Sequence, residues 1–217
     1  MDFIPRKEIP AGRDVTYASF VCDYRPLKDD KYRGRLVVGG DKLTYADDAG
    51  SPAASLLETK LLINSVISTR PGARFMSMDL KDHFLCTPML NPEYMKIPYK
   101  YFPDDIKEKY ELDKLVHDGY VYCKIKKGMY GLKQASLLAF NYLKEKLAPH
   151  GYRPIPHTIG LWKHDSKPLT FCLCVDDFGV KYTRKKDVDH LLAALQQTFK
   201  VSTDWSGKNF CGLTFDW

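Results

Sequence analysis

Residues Leu169 to Tyr182 are almost uniformly apolar, yet two adjacent aspartates, Asp176 and Asp177, interrupt them at the centre. Such a run reads as a hairpin of two buried strands with an acidic turn. Turns that close hairpins usually carry Gly or Asn. Two neighbouring carboxylates repel one another, and partial burial adds a desolvation cost. A divalent cation reverses that cost. The plain alternative is a solvated turn, because Asp is common in turns.

A second segment bears on the choice. In Phe75-Met76-Ser77-Met78-Asp79-Leu80-Lys81-Asp82-His83-Phe84-Leu85, Asp79 closes an apolar strand. If this strand neighbours the hairpin, then Asp79, Asp176 and Asp177 converge. Phosphoryl transfer by two metal ions needs such a set, with the ions held about 4 Å apart. Hard cations take oxygen ligands, so Asp is the fitting residue type. Asp82 reads as the start of the following turn, with a fourth ligand as the alternative. His83 has no sequence partner and is assigned no role.

Two basic segments complete the chemistry. In Lys124-Ile125-Lys126-Lys127-Gly128-Met129-Tyr130-Gly131-Leu132-Lys133-Gln134-Ala135, lysines interleave with Tyr130 and two glycines. Glycine lets a ligand approach the backbone, and lysine meets phosphate; the alternative is a solvated face. In Tyr32-Arg33-Gly34-Arg35-Leu36-Val37-Val38-Gly39-Gly40, Arg33 and Arg35 project from one face of a strand. Two guanidinium groups side by side call for an anion between them, and a triphosphate would serve. The alternative is an exposed hairpin with solubilising arginines.

Around these segments the periodicity predicts a hairpin of Val15–Asp23 and Tyr32–Val38, with Pro26, Asp29 and Asp30 in the connection. A helix is predicted from an N-cap at Ser51-Pro52 to Ser68, stopped by Pro71-Gly72. Phe75–Leu80 and Tyr120–Ile125 read as strands. Residues 91–120, rich in Pro, Asp, Lys and Tyr, read as an exposed irregular insertion. Helices are predicted over Gln134–Leu147 and along Val188, Leu191, Leu192, Leu195 and Phe199, and a last strand over Phe210–Trp217. The fold class is α+β, an antiparallel sheet with helices packed on one side.

Composition agrees with that class. The 217 residues are 44% hydrophobic and 28% charged, with net charge +6, and the basic excess fits a nucleic-acid partner. No apolar run approaches the ~18 residues that cross a bilayer. The amino terminus lacks a secretory pattern, so an intracellular protein with no membrane partner is expected. Six scattered cysteines, among them Cys172 and Cys174, form neither a disulfide framework nor a zinc set and read as small buried hydrophobes.

In this order the segments resemble the reverse transcriptase domain of copia-type long-terminal-repeat retrotransposons, over nearly the whole chain. Arg33-Gly34-Arg35-Leu36-Val37 is similar to that family's Lys-x-Arg-Leu-Val, and Asp79-Leu80-Lys81-Asp82-His83-Phe84-Leu85 to its Asp-Val-Lys-x-Ala-Phe-Leu. Tyr130-Gly131-Leu132-Lys133-Gln134-Ala135 resembles Leu-Tyr-Gly-Leu-Lys-Gln-Ala almost residue for residue, Val175-Asp176-Asp177 resembles Tyr-Val-Asp-Asp, and Phe210-Cys211-Gly212-Leu213 resembles Phe-Leu-Gly-Ile near the primer grip. Cys174 stands where the family has Tyr, and Ser136 where it has Pro.

The resemblance implies a right-hand polymerase, with fingers over about 1–75 and 90–125, palm over about 76–90 and 126–217, and the thumb absent. It implies RNA-directed DNA polymerase activity, with Asp79, Asp176 and Asp177 holding two magnesium ions (manganese as an alternative). Arg33, Arg35 and Lys133 would meet triphosphate or template backbone, and Phe84 would lie beneath the incoming sugar. Gly131 and Gln134 would shape the nucleotide or template pocket, and Gly212 would belong to the primer grip. The implied partners are an RNA or DNA template with its primer, deoxynucleoside triphosphates, and the thumb, ribonuclease H and integrase of a polyprotein. The implied location is cytoplasmic, within virus-like particles. The rival readings are a catalytically inactive nucleic-acid-binding remnant of such a polymerase and a metal-dependent nuclease or phosphotransferase.

Overall fold

Strand periodicity dominates the chain, and a computed structural model describing residues 1–26, 30–45, 49–50, 52–69 and 72–217 places those strands in two main sheets. In chain order the elements are β1 (Asp2–Ile4), β2 (Val15–Tyr24), β3 (Tyr32–Val38), α1 (Leu56–Ser68), β4 (Arg74–Lys81), the single turn α2 (His83–Cys86), β5 (Pro88–Pro98), α3 (Asp104–Lys109) and β6 (Tyr120–Lys127). They continue with α4 (Ala135–Leu147), β7 (Tyr152–Pro154), β8 (Leu161–His164), β9 (Leu169–Cys174), β10 (Asp177–Tyr182), α5 (Lys185–Gln196), β11 (Lys200–Asp204), β12 (Asn209–Phe210) and β13 (Leu213–Thr214). The chain divides into two compact units, Met1–Ala49 with Thr87–Ala135, and Gly50–Cys86 with Ser136–Trp217.

The first unit is a five-stranded sheet in the order β1-β6-β5-β2-β3. Its pairings are antiparallel except for β2 with β5, which is parallel. The central strand β5 occupies part of the region expected to be irregular. Its prolines mislead: Pro88 and Pro98 stand at the strand ends, and Pro92 falls within the register shift between Pro88 and Glu93. No proline therefore has to donate within the regular ladder. Tyr94, Met95 and Ile97 are buried there, with Val121, Cys123 and Ile125 of β6 beside them.

The second unit is a six-stranded antiparallel sheet in the order β11-β4-β10-β9-β8-β7. Strand β4 carries buried apolar residues on both faces. Met76, Met78 and Leu80 pack with Leu143 and Leu147 of α4 and with Val188, Leu191 and Leu195 of α5. Phe75, on the opposite face, packs with Leu62 and Val66 of α1 and with Phe210. Helices therefore cover both faces, not one as expected, because a strand with apolar residues on both sides needs cover on both.

The α1 cap also differs from expectation. Ser51 lies outside the described residues, as do Asp29 and Pro71. The cap is Ser55, which forms a reciprocal capping box with Glu58. Glu58 further accepts from the Ile159 amide at 2.6 Å, tying α1 to the loop before β8. The expected last strand is instead a short hairpin, β12–β13. Its turn residues Cys211 and Gly212 have φ of 47° and 77°, the pattern of a type I′ turn. Among the described residues no helix is long and apolar enough to cross a membrane.

Candidate active site

Antiparallel register builds the acidic centre. Asp79 of β4 lies opposite Asp177 of β10 on one side and opposite Ser202 of β11 on the other. Asp177 also lies opposite Cys174 of β9. Directly opposed residues share a sheet face, with Cβ atoms about 4.5–5.5 Å apart. Ser202, Asp79, Asp177 and Cys174 thus form one row across four strands. The Ser202 hydroxyl donates to Asp79 Oδ2 at 3.4 Å.

Val175 and Asp176 make the two-residue turn between β9 and β10, so Asp177 is the first residue of its strand and not part of the tip. The Leu80 amide donates to the Asp176 carbonyl at 3.0 Å, which carries the β4–β10 pairing one step into the turn. Val175 has φ of 63°. A β-branched residue in the left-handed region is strained by about 1–3 kcal/mol, a cost that functional turns often carry.

The three aspartates thus occupy adjoining backbone positions, each half-buried. Their carboxylates are not drawn into a closed cluster. Among the described residues no three His, Cys, Asp or Glu side chains are gathered closely enough to hold an ion. The donor set nevertheless fits a hard divalent cation, since the row and its turn offer carboxylate and hydroxyl oxygens.

Beyond β4 the chain turns sharply. Asp82 has φ of 56°, is exposed, and its carbonyl accepts from the Cys86 amide at 3.0 Å. It therefore begins the turn, as the first of its two readings had it. His83, to which the sequence assigned no role, is buried. Burial pushes its pKa down to about 4, and hydrogen bonding with the Val175 and Ala139 backbone offsets part of that shift. Its ring stacks on Phe84, centroids 6.2 Å apart, and meets Phe199 edge-on at 5.3 Å. Phe84 is only half-buried.

The neighbouring Cys211 thiol holds the Cys174 pKa down, while the Cys211 pKa is raised by Cys174 and by burial. Cys174 Sγ also lies 3.5 Å from the Ala54 carbonyl oxygen. Reading the cysteines as buried hydrophobes holds for Cys123 and Cys172 but not for Cys22 and Cys211, which are exposed. A Cβ added at Gly212 would meet open space, so its positive φ, and not packing, requires glycine there.

The first unit holds the basic residues. Arg33 lies opposite Asp23 in register, and the Asp23 carboxylate is 3.6 Å from Arg35 Nη1. Asp23, which the sequence reading did not single out, is an anion beside the arginine pair. The Arg35 guanidinium lies over the Tyr130 ring, 5.0 Å from its centroid. Next to it, Gly131 has φ of 94°, and a Cβ there would collide with the Val38 carbonyl oxygen. The Val38 amide donates to the Tyr130 carbonyl at 2.8 Å. Gly131 thus lets the basic loop dock on the end of β3.

The exposed Lys133 donates to the Leu43 carbonyl at 3.0 Å. Gln134 is buried, and its amide donates to Glu93 Oε1 at 3.0 Å. Burial raises the Glu93 pKa, opposed by Arg13 and by the Gln134 hydrogen bond. Glu93 and Arg13 carry no signal in the sequence, because the prolines of β5 mask its strand periodicity.

Comparison with known proteins adds one finding. The model of a family described as reverse transcriptase (RNA-dependent DNA polymerase) matches residues 6–216.

Proposed function

The chain belongs to that reverse transcriptase family, the copia type, and from this premise we propose that it is an RNA-directed DNA polymerase extending the 3′ end of a primer. The observation that carries the reading is the facing pair Asp79 and Asp177, with Asp176 on the adjoining turn.

Asp79, Asp176 and Asp177 would hold two magnesium ions, with manganese as the alternative. Such ions, when bound, lower the pKa of the primer hydroxyl and neutralise charge on the transferring phosphoryl group. The chain's own contribution is position. Two carboxylates are fixed by sheet register, and the third is fixed by a strained turn. Ser202 orients Asp79.

In this reading the second unit is the palm and the first the fingers. Phe84 excludes a ribose 2′-hydroxyl. Arg33, Arg35 and Lys133 meet triphosphate or template backbone. Gln134, its amide committed to Glu93, acts with Gly131 by shaping the loop. Gly212 sets the turn of the primer-grip hairpin. The remainder of a polyprotein and a cytoplasmic, particle-borne location belong to the same proposal.

The test is primer extension on an RNA template with magnesium. Metal-dependent extension supports the reading. Salt-sensitive binding without extension, with either metal, would identify a nucleic-acid-binding remnant instead.

A further inference from the structure

By strand alternation, the face of β5 that carries the buried Met95 and Ile97 also carries Glu93. A carboxylate on an apolar face destabilises the fold unless its oxygens are paired. Both oxygens of Glu93 have a partner. The Gln134 side-chain amide donates to Oε1 at 3.0 Å, and Arg13 Nη2 donates to Oε2 at 3.0 Å. Arg13 also donates to the Pro92 carbonyl, and its guanidinium lies 5.7 Å from the Tyr94 ring centroid. Packing alone would favour an apolar side chain at this position. The carboxylate therefore points to the partner it holds.

That partner, Gln134, ends a loop whose earlier residues are tied down one by one. The Gly128 amide donates to the Thr87 carbonyl at 2.8 Å, and the Val38 amide to the Tyr130 carbonyl at 2.8 Å. Lys133 donates to the Leu43 carbonyl. The loop carries Lys133 itself and the Tyr130 ring under the Arg35 guanidinium. All of these residues belong to the first unit.

We propose that Glu93, backed by Arg13, is a positioning residue for nucleotide binding: it holds Gln134, fixes residues 128–134 on β3, and so places Lys133 and the Arg35–Tyr130 pair to receive the triphosphate of a deoxynucleotide. Neither Glu93 nor Arg13 touches the nucleotide itself. The ligand rests on the polymerase reading, whereas the hold on the loop does not.

Hydrogen exchange reads the hold. In Glu93→Ala the buried Gln134 amide loses its acceptor, and the Val38 amide should exchange roughly tenfold faster, with β9 and β10 unchanged. Single-nucleotide extension reads the consequence. KM for the deoxynucleotide should rise by roughly tenfold while kcat holds, because contacts to the triphosphate tail act alike in ground and transition states. A residue that only stabilised the fold would lower the active fraction, reducing apparent kcat and leaving KM alone. Glu93→Gln has the same shape, loses the charge, and should show smaller shifts in both readings; it carries the test if Glu93→Ala does not fold. Combining Glu93→Gln with Gln134→Glu restores an amide-to-carboxylate hydrogen bond and should return KM towards the wild-type value. Unchanged Val38 exchange, a fall in kcat at constant KM, or a double variant no better than Glu93→Gln would each overturn the proposal. Wild-type protein that fails to extend sinks the polymerase reading alone, while Val38 exchange still decides the hold on the loop.

Discussion

Asp79 and Asp177 face each other across neighbouring antiparallel strands, a placement that sets function against stability. Like charges directly opposed on a sheet destabilise it, by roughly 0.2–1 kcal/mol. Replacing Asp177 by Asn removes one charge and keeps the shape. Without divalent metal, Asp177→Asn should therefore melt slightly above the wild type. With magnesium the order should reverse, because only the wild type keeps the full ligand set. Calorimetry with and without metal measures both, and an Asn variant less stable in chelator would contradict the account.

Phe84 separates a packing role from a sugar-selecting one. It is half-buried, not sealed in the core. A core Phe cut to Val would lower stability by a few kcal/mol and reduce use of both sugars together. A ring that excludes the 2′-hydroxyl, once shortened, should improve ribonucleotide use selectively, by about 10²-fold if ~3 kcal/mol of discrimination is lost. The ratio of single-nucleotide incorporation efficiencies in Phe84→Val reads this directly. An unchanged ratio makes Phe84 structural.

Acid should loosen the second unit. The folded pKa of His83 is depressed to about 4 from 6.5, chiefly by burial. Above pH 6.5 the ring is neutral in both states and contributes no pH dependence. As pH falls from 6.5 towards 4, the unfolded chain takes up the proton first, and stability drops by up to about 3 kcal/mol. His164 and His190, also depressed by burial, act in the same sense. His83→Leu should flatten the acid limb of a denaturation series, and a limb as steep as that of the wild type would show that other groups set it.

Binding to a primer–template should weaken steeply with salt, because lysines and arginines displace condensed counterions. Sequence preference should be slight, since phosphate contacts carry little sequence information. Arg33→Gln should reduce the slope of log affinity against log salt. Affinity unchanged between low and moderate salt would count against phosphate contacts by this surface.

The two acidic segments were legible because a carboxylate at the end of a buried apolar run is costly without a partner, and the structure pairs them in register. The basic hairpin was legible from strand alternation. What was hidden depended on partners distant in sequence. Strand β5 was obscured by prolines whose harmlessness only its register explains. Asp23 closes the predicted first strand, but only the pairing sets it opposite Arg33. Glu93 and Gln134 are separated by 41 positions and meet only in the fold. His83 gave no signal because burial and its backbone contacts are tertiary. The cover on the second sheet face has no local signal, because α1 meets Phe75 only through tertiary packing.

The most direct test of the account compares wild type with Asp176→Asn in single-nucleotide extension on an RNA template with magnesium, measuring primer–template affinity in parallel. The account predicts extension by the wild type, none by the variant, and nearly equal affinities. Extension by Asp176→Asn at the wild-type rate would contradict it.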